Sequence, residues 1–259
     1  MLFGATIGDI AGSRFECYDY KGKDFEFFNY EDRFTDDTVM TMAIYEACKE
    51  IKENGYTDSL EIEECFRDSM IKWGREYQGV GYGGRFCEWL FSEDPQPYNS
   101  WGNGSAMRVS PVGWMFDSLE EVERMAELSA NPTHNHPEGV RGAKAAAGAV
   151  FLARTGHSKR EIKKYIEGTL KYKLHRCGFV RPTYKFDVSC QGTIPVAVES
   201  FLESNSFEDA VRTAISMGGD SDTIGAITGS IAEAFYGVPD ELKEGCKQYL
   251  DEHILSIIH

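Results

Sequence analysis

Two short runs of oxygen-bearing side chains are the residues of this chain best suited to chemistry. The first is Thr35-Asp36-Asp37-Thr38 and the second is Asp220-Ser221-Asp222-Thr223, and each precedes an apolar helical pattern. Carboxylates are costly to hold near a protein core unless they are paired or bind a cation. One aspartate or threonine suffices to cap a helix, so two runs with several acids each indicate a shared cation. Because the runs offer only oxygen ligands, Mg²⁺, Mn²⁺ or Ca²⁺ is favoured over zinc.

The two runs together offer more ligands than one magnesium ion takes from a protein. The candidate metal ligands are Thr35, Asp36, Asp37, Asp220, Asp222 and Thr223. Two ions about 3.5–4 Å apart, bridged by a carboxylate, would use such a set naturally. The sequence therefore predicts a centre with two Mg²⁺ (or Mn²⁺) ions. Helix capping alone remains the alternative interpretation of either run.

A third motif occupies residues 8–16, in which glycines 8 and 12 stand near two acids. Glycine at these positions permits a tight turn or close packing of a second backbone. Asp9 and Glu16 have two interpretations: a role in chemistry, or simple solvation, which is the default for a charged side chain.

Two further segments offer groups for binding an anion or a sugar. In Trp101-Gly102-Asn103-Gly104-Ser105-Ala106-Met107-Arg108, successive backbone N–H groups can form an anion nest, or the segment is an ordinary turn. It lacks the Gly-Lys-Ser/Thr of a nucleotide-binding P-loop. In residues 131–137, His134 and His136 have no third soft ligand at a spacing that suits zinc. His136 or Asn135 is a candidate helix cap, and His134 a candidate contact to a phosphate or sugar.

Taken in order, these motifs resemble the ADP-ribosylglycohydrolase family, in particular the dinitrogenase-reductase-activating glycohydrolase type. The matching segments read GDIAGSRFE, FTDDT, GNGSAMR, THNHP and MGGDSDTIG. The resemblance extends from residue 4 to about residue 237. Each motif is weak alone, whereas the ordered set with two separated aspartate runs is specific.

The resemblance implies an all-α fold with the binuclear centre at the base of a cleft. It also implies hydrolysis of the N- or O-glycosidic bond at C1″ of ADP-ribose. The partner would then be an ADP-ribosylated protein, modified on arginine or serine, or a related ADP-ribosyl conjugate, and free ADP-ribose the product. The catalytic residues it implies are Glu16, Asp36, Asp37 and Asp222. The substrate-binding residues it implies are Asn103, Gly104, Ser105, Met107 and His134.

The general base and the class of function each have more than one candidate. Glu16 matches a glutamate that is mobile in some members of the family, and either Glu16 or a metal-linked aspartate is a candidate general base. The rival functions are a non-catalytic ADP-ribose-binding module and a structural, crystallin-like member. A binuclear phosphoesterase is a third class, but it would usually place histidines on the metals, and neither aspartate run has one nearby.

The elements that must position these residues are predicted to be helices. An apolar stripe predicts a helix over residues 36–53, ended by Asn54-Gly55. Residues 138–154 are apolar around nearly the whole circumference, which predicts a central helix. The helix after Asp222 has a face of small residues that would admit another backbone, and residues 237–239 should end it. That face holds Gly225, Gly229 and Ala232.

Shorter signals complete the prediction of secondary structure. Ser118 with Glu121 and Ser158 with Glu161 read as capping boxes, and Ser206 precedes a weaker one. Residues 92–113 hold several prolines and glycines and are predicted to form a loop. Residues 172–190 mix strand and loop signals and are left ambiguous.

Composition bounds the class of protein. The chain has 259 residues, of which 42% are hydrophobic, so we expect one domain over residues 1–259, a compact orthogonal helical bundle. A net charge of −15 disfavours bulk binding of nucleic acid or anionic membranes. Seven dispersed cysteines without a CxxC pair predict neither a disulfide framework nor a zinc site. No signal peptide or membrane span is recognisable, which predicts a cytoplasmic protein.

Overall fold

A computed structural model describes residues 1–258 of the chain. Its α-helices are α1 (Phe3–Ser13), α2 (Asp36–Asn54), α3 (Ser59–Glu76), α4 (Gly84–Leu90), α5 (Gly104–Met107), α6 (Ser110–Met115), α7 (Leu119–His134), α8 (Pro137–Arg154), α9 (Lys159–Lys164), α10 (Cys177–Val180), α11 (Cys190–Glu203), α12 (Phe207–Ile215), α13 (Ser221–Tyr236), α14 (Asp240–Lys247) and α15 (Glu252–Leu255). A π-helical turn, Tyr165–Thr169, follows α9.

The prediction of an all-α fold is confirmed. Within residues 1–258, extended pairing is limited to an isolated antiparallel bridge between Gly102 and Ser189. In the same part of the chain, no helix is both long and apolar enough to cross a bilayer. All seven cysteines are free thiols.

The centre of the fold is α13, which packs against α1, α8, α11 and α12. The closest pair is α13 and α1, because glycines face each other along both helices. A Cβ on Gly8 would lie 2.0 Å from the carbonyl oxygen of Gly225, and one on Gly4 would lie 2.3 Å from that of Gly229. The predicted small face of α13 is thus confirmed as a backbone-to-backbone contact.

Two other long helices, α2 and α8, also match their predictions. Helix α2 covers the expected residues and ends at Gly55, whose φ of 66° suits a glycine cap. Helix α8 is buried along most of its length, as its apolar circumference predicted. Pro137 begins α8, and the His136 ring accepts the N–H of Glu138, so the candidate cap at His136 is confirmed.

The helix starts at the predicted capping motifs are confirmed, but the second is the only full capping box. Ser118 and Ser206 each accept the N–H of the residue three positions later. Ser158 does the same, and the Glu161 carboxylate also reaches back to the Ser158 N–H.

The prediction of a continuous loop over residues 92–113 is wrong. The short helix α5 lies inside it, and α6 begins inside it and continues to Met115. Pro111 is in the first turn of α6, where a missing N–H costs nothing, so the proline is compatible with the helix. The ambiguous residues 172–190 are irregular apart from α10.

Candidate metal centre and cleft

The two aspartate runs, which begin at residues 35 and 220, meet in space. Asp36 and Asp37 form the first turn of α2, and Asp220 and Asp222 begin α13. A direct hydrogen bond joins the runs: the Thr223 hydroxyl donates to Asp37 Oδ2 over 3.2 Å. Both runs therefore lie at helix N-termini, where the helix dipole favours negative charge.

Glu16 completes the acidic cluster from the turn after α1. One ligand atom each from Glu16, Asp220 and Asp222 lies within 4.8 Å of the others. The close contact of α1 with α13 is what brings Glu16 to this position, because Gly12 packs against the backbone of Ser221 and Asp222.

Asp9 holds the first aspartate run in place from behind. It is fully buried on α1, so the interpretation of Asp9 as a solvated surface acid is wrong. Its carboxylate accepts the N–H of Thr35 at 2.9 Å, the Thr35 hydroxyl at 2.7 Å and the N–H of Thr38 at 3.1 Å. The Thr38 hydroxyl also donates to it. These bonds anchor the N-terminus of α2 to α1.

The carboxyl groups of the cluster share an unfavourable electrostatic environment. Burial raises the pKa of Asp36 to about 8, and the charges of Asp9 and Asp220 add to that shift. Burial and neighbouring carboxylates also raise the pKa values of Asp37 and Asp222. The pKa of Glu16 is raised by burial and by Asp220 and is lowered in part by Arg33.

This arrangement fits a hard cation. Asp37 Oδ1 is buried and has no hydrogen-bond partner within residues 1–258, which is costly for a carboxylate oxygen. The charges acting on Asp37 and Asp222 come chiefly from other carboxylates. A divalent ion would satisfy the orphan oxygen and offset the repulsion, and a set of oxygen ligands suits Mg²⁺ or Mn²⁺.

The acidic cluster lines a cavity of about 420 Å³. The same cavity is lined by positive or polar groups that include Arg85, Arg108, Tyr98 and His134, and by Phe86. Phe186 and Val188 also line the cavity, and both are about half exposed. The cavity is therefore lined by groups of both charge signs and is large enough for a small ligand.

The structure brings most of the predicted substrate-binding residues to this cavity. Asn103, Gly104, Met107 and His134 all line it. The Asn103 amide donates to Asp220 Oδ2 at 2.6 Å, so it also orients a carboxylate of the acidic cluster. A Cβ on Gly104 would lie 3.2 Å from His134 Nε2, so glycine allows the ring and the loop to approach.

Two predicted site residues lie behind the cavity wall instead of on it. The Ser105 hydroxyl is buried and donates to the Gly139 carbonyl at 2.8 Å. The Thr35 hydroxyl donates to Asp9 and accepts the N–H of Asp37, so it caps α2. The capping interpretation of the first run thus holds for Thr35.

Arg108 is the functional candidate that the sequence did not single out. Its side chain is 1% exposed, and its two hydrogen-bond acceptors, Thr133 Oγ1 at 2.8 Å and the Ser129 carbonyl at 3.5 Å, are both neutral. Its Nε has no partner within the described residues. Burial lowers its pKa to about 10. A buried guanidinium beside a cavity, with no carboxylate among its hydrogen-bond acceptors, is suited to bind an anion.

His134 is linked to Arg108 through Thr133. Burial lowers the pKa of His134, and Arg108 and Arg85 lower it further, so its ring is neutral. His134 Nδ1 lies 2.7 Å from Thr133 Oγ1. Because that oxygen accepts from Arg108, its own proton is free to go to Nδ1, which leaves a proton on Nε2. Nε2–H then faces the cavity as a donor.

The remaining cavity residues carry no local sequence signal. Arg85, Phe86 and Tyr98 come from the segment between α3 and α5, where no motif was recognised. Gly81 lies in the same segment with a φ of 115°, and a Cβ there would lie 3.1 Å from Asp36 Oδ1. The run of glycines at 79, 81, 83 and 84 is the one feature that could have indicated a close approach to the site.

Comparison with known proteins identifies the family of this chain. The family model described as ADP-ribosylglycohydrolase matches residues 1–259. ADP-ribosylhydrolase ARH3 of Homo sapiens is 27% identical over 98% of this chain and 90% of its own length. ADP-ribosylarginine hydrolase Tri1 of Pseudomonas putida is 24% identical over 92% and 70%. ADP-ribosyl-[dinitrogen reductase] glycohydrolase of Rhodospirillum rubrum is 28% identical over 85% and 74%.

A solved structure shares the fold. The chain named ADP-ribosylglycohydrolase-related protein complex superposes with a TM-score of 0.69 and 23% identity, covering 100% of this chain and 90% of its own. At that identity the likeness concerns the fold alone. The match of the family model along the whole sequence is decisive: the chain belongs to the ADP-ribosylglycohydrolase family.

Proposed function

We propose that this protein is a metal-dependent hydrolase that cleaves the glycosidic bond at C1″ of ADP-ribose in a modified protein side chain. The observation that carries this proposal is one cavity lined both by the carboxylates of the two aspartate runs and by cationic or hydrogen-bond-donating groups. The names of the Tri1 and Rhodospirillum relatives support ADP-ribosylated protein as the substrate class. Arginine and serine linkages are the two candidates, and the dinitrogenase-reductase-activating type is one form of the first.

The acidic cluster would bind two Mg²⁺ or Mn²⁺ ions. The groups that would hold them are the carboxylates of Glu16, Asp36, Asp37, Asp220 and Asp222 and the hydroxyl of Thr223. Such ions supply Lewis-acid polarisation of sugar hydroxyls and a water molecule for attack. Thr35, whose hydroxyl is engaged by Asp9, contributes by capping α2.

The carboxylates also act on the sugar directly. Glycoside cleavage passes through a state with oxocarbenium character, and negative charge beside C1″ stabilises it. Glu16 is the best candidate for general base, because it lies at the cavity wall with a raised pKa and its carboxylate has no hydrogen bond to another of residues 1–258. Asp222 and Asp37 are more deeply buried and are better placed as fixed ligands.

The cationic and donor groups of the cavity, Arg108 and His134 among them, would bind the diphosphate. Arg108 would supply an uncompensated positive charge, and His134 Nε2–H and the Asn103–Gly104 backbone would supply hydrogen-bond donors. With the diphosphate held there, the distal ribose would reach the acidic cluster. Tyr98 and Phe86 would offer aromatic faces beside the phosphates.

The test is hydrolysis of matched arginine- and serine-linked ADP-ribosyl peptides in Mg²⁺ or Mn²⁺. Release of ADP-ribose, followed by chromatography, should occur on at least one linkage and should identify it. The Asp220→Asn, Asp222→Asn double variant should lose turnover, and Asp24→Asn, an exposed aspartate outside the cavity, should retain it. Tight binding of ADP-ribose without turnover on either linkage would refute the proposal in favour of a binding module.

A further inference from the structure

A second cavity lies on the other side of Glu16. This outer groove has a volume of about 790 Å³ and is formed by the turn after α1 and by residues 31–33. The residues that matter here are Phe15, Glu16, Tyr18, Tyr20, Glu31 and Arg33. Glu16 lines both the outer groove and the cavity of the acidic cluster, so the two spaces meet at its side chain.

The back wall of the outer groove is held by internal contacts. Arg14 donates to both carboxylate oxygens of Asp32 at 2.6 Å, and its guanidinium lies 4.4 Å from the centre of the Phe15 ring. Phe15 and Tyr20 are stacked with their ring centres 4.6 Å apart. These groups already have partners, so they form a preorganised surface.

Three other side chains of the outer groove face solvent. Tyr18 is 68% exposed. Glu31 is exposed, and within residues 1–258 its carboxylate has no ion-pair partner. Arg33 is exposed and acts electrostatically on Glu16. Arg33 thus offsets the charge of Glu16, which leaves Glu31 as an acidic group of the groove without an ion-pair partner in the described part of the chain.

The direction of the bound substrate determines what enters this groove. If the diphosphate binds to Arg108 and His134, as proposed above, the distal ribose lies beside the carboxylates of the acidic cluster. The bond at C1″ then continues away from Arg108 and towards Glu16. The atoms beyond that bond belong to the modified side chain and its polypeptide, and the outer groove is the space next to Glu16 that can hold them.

We propose that the outer groove binds the polypeptide segment that carries the modified side chain, and that it favours a basic residue beside the modified one. This proposal rests on the proposed function, since it assigns the protein side of the same bond. Tyr18 and Phe15 would contact apolar parts of the segment, and Glu31 would pair with the basic residue. The groove thus selects among target sequences, whereas the inner cavity recognises ADP-ribose.

The experiment compares two substrates that share one linkage: an ADP-ribosylated peptide with a lysine next to the modified residue, and the ADP-ribosylated amino acid without a peptide. We would measure kcat/KM for the wild type and for the Tyr18→Ser, Glu31→Lys double variant. The control variant is Tyr30→Ser, because Tyr30 is 89% exposed and lies outside the groove. Thermal midpoints within about 1 °C would confirm that the exposed substitutions leave the fold intact.

We expect the double variant to lose about tenfold in kcat/KM on the peptide and to stay within about twofold of wild type on the amino acid conjugate. Wild type should also cleave the lysine peptide about fivefold better than a glutamate counterpart, and Glu31→Lys should remove that preference. Equal losses on both substrates, or no loss on the peptide, would overturn the groove assignment while leaving the proposed function intact. Failure of the wild type to cleave either substrate would overturn both.

Discussion

The contact between α1 and α13 is predicted to control both stability and metal binding, and Gly8→Ala tests it. A methyl group on Gly8 would lie 2.0 Å from the carbonyl oxygen and 2.2 Å from the carbonyl carbon of Gly225. Ordinary contact begins near 3.4 Å, so the two helices must move apart by more than about 1 Å. Because the colliding atoms are backbone, no side chain can turn away to relieve the clash.

The expected cost is at least ~3 kcal/mol in the free energy of unfolding, the upper end for an extra methylene in a packed core. For a chain of this size, the thermal midpoint should fall by roughly 6–12 °C. The same displacement shifts Glu16 and Asp9, which follow α1, relative to Asp220 and Asp222 on α13. Metal ligands must be placed to within about 0.2 Å, so we expect Mn²⁺ affinity to fall as well.

Scanning calorimetry measures the thermal midpoint, and titration calorimetry measures the Mn²⁺ affinity of the same protein. The matched control is Gly178→Ala, because an added Cβ in that helical position would meet no atom within 4 Å. The control should keep the wild-type midpoint and Mn²⁺ affinity. If Gly8→Ala also kept both, within about 1 °C and twofold, the helix contact would not position the centre, and this reasoning would be refuted.

Three further outcomes follow from single residues or from pH. Asp9→Asn replaces an acceptor of four hydrogen bonds by an amide, one side of which is a donor. We expect the free energy of unfolding, measured with denaturant, to fall by about 1–3 kcal/mol. An unchanged free energy of unfolding would contradict the anchoring role of Asp9. Arg108→Met removes a buried charge without a carboxylate partner, so the thermal midpoint should hold while KM for the ADP-ribosyl conjugate rises about 10- to 100-fold; an unchanged KM would remove Arg108 from the phosphate site. Burial raises the pKa of Asp9 to about 6 and of Asp36 to about 8, so the folded state binds more protons than the unfolded state, whose aspartates titrate near pH 4. The metal-free protein should therefore lose stability as pH rises from about 4 to 8, and Mg²⁺ should raise the thermal midpoint more at pH 8 than at pH 5; an equal rise at both would contradict carboxylate ligation.

Local patterns in the sequence predict a large part of this structure. The start of α2, the burial of α8 and the small face of α13 all follow from a capping residue or from the spacing of apolar or small residues. These features depend on hydrogen bonds within one helix or on the size and polarity of the side chains on one helix face. They are therefore readable from a few neighbouring positions.

The features that the sequence does not reveal depend on distant partners. Asp9 looks like a surface acid until Thr35 and Thr38 are brought to it by the packing of α2 on α1. Arg108 follows a glycine-rich motif, but its burial beside Thr133 requires α7 to be in place. The hydroxyl of Ser105 belongs to the same motif and bonds to α8 instead of lining the cavity, because successive helical residues point about 100° apart around the axis.

The most direct measurement of the central claim is the rate of ADP-ribose release from an ADP-ribosylated peptide before chelation, after chelation and after Mg²⁺ or Mn²⁺ is restored. The peptide should carry the linkage that the wild type cleaves. We predict that release stops with chelator, returns with the metal, and does not return in the Asp220→Asn, Asp222→Asn variant, whose fold is checked by its thermal midpoint. Release that continues at the wild-type rate without metal, or in that variant, would contradict a metal-dependent ADP-ribosyl hydrolase built on the two aspartate runs.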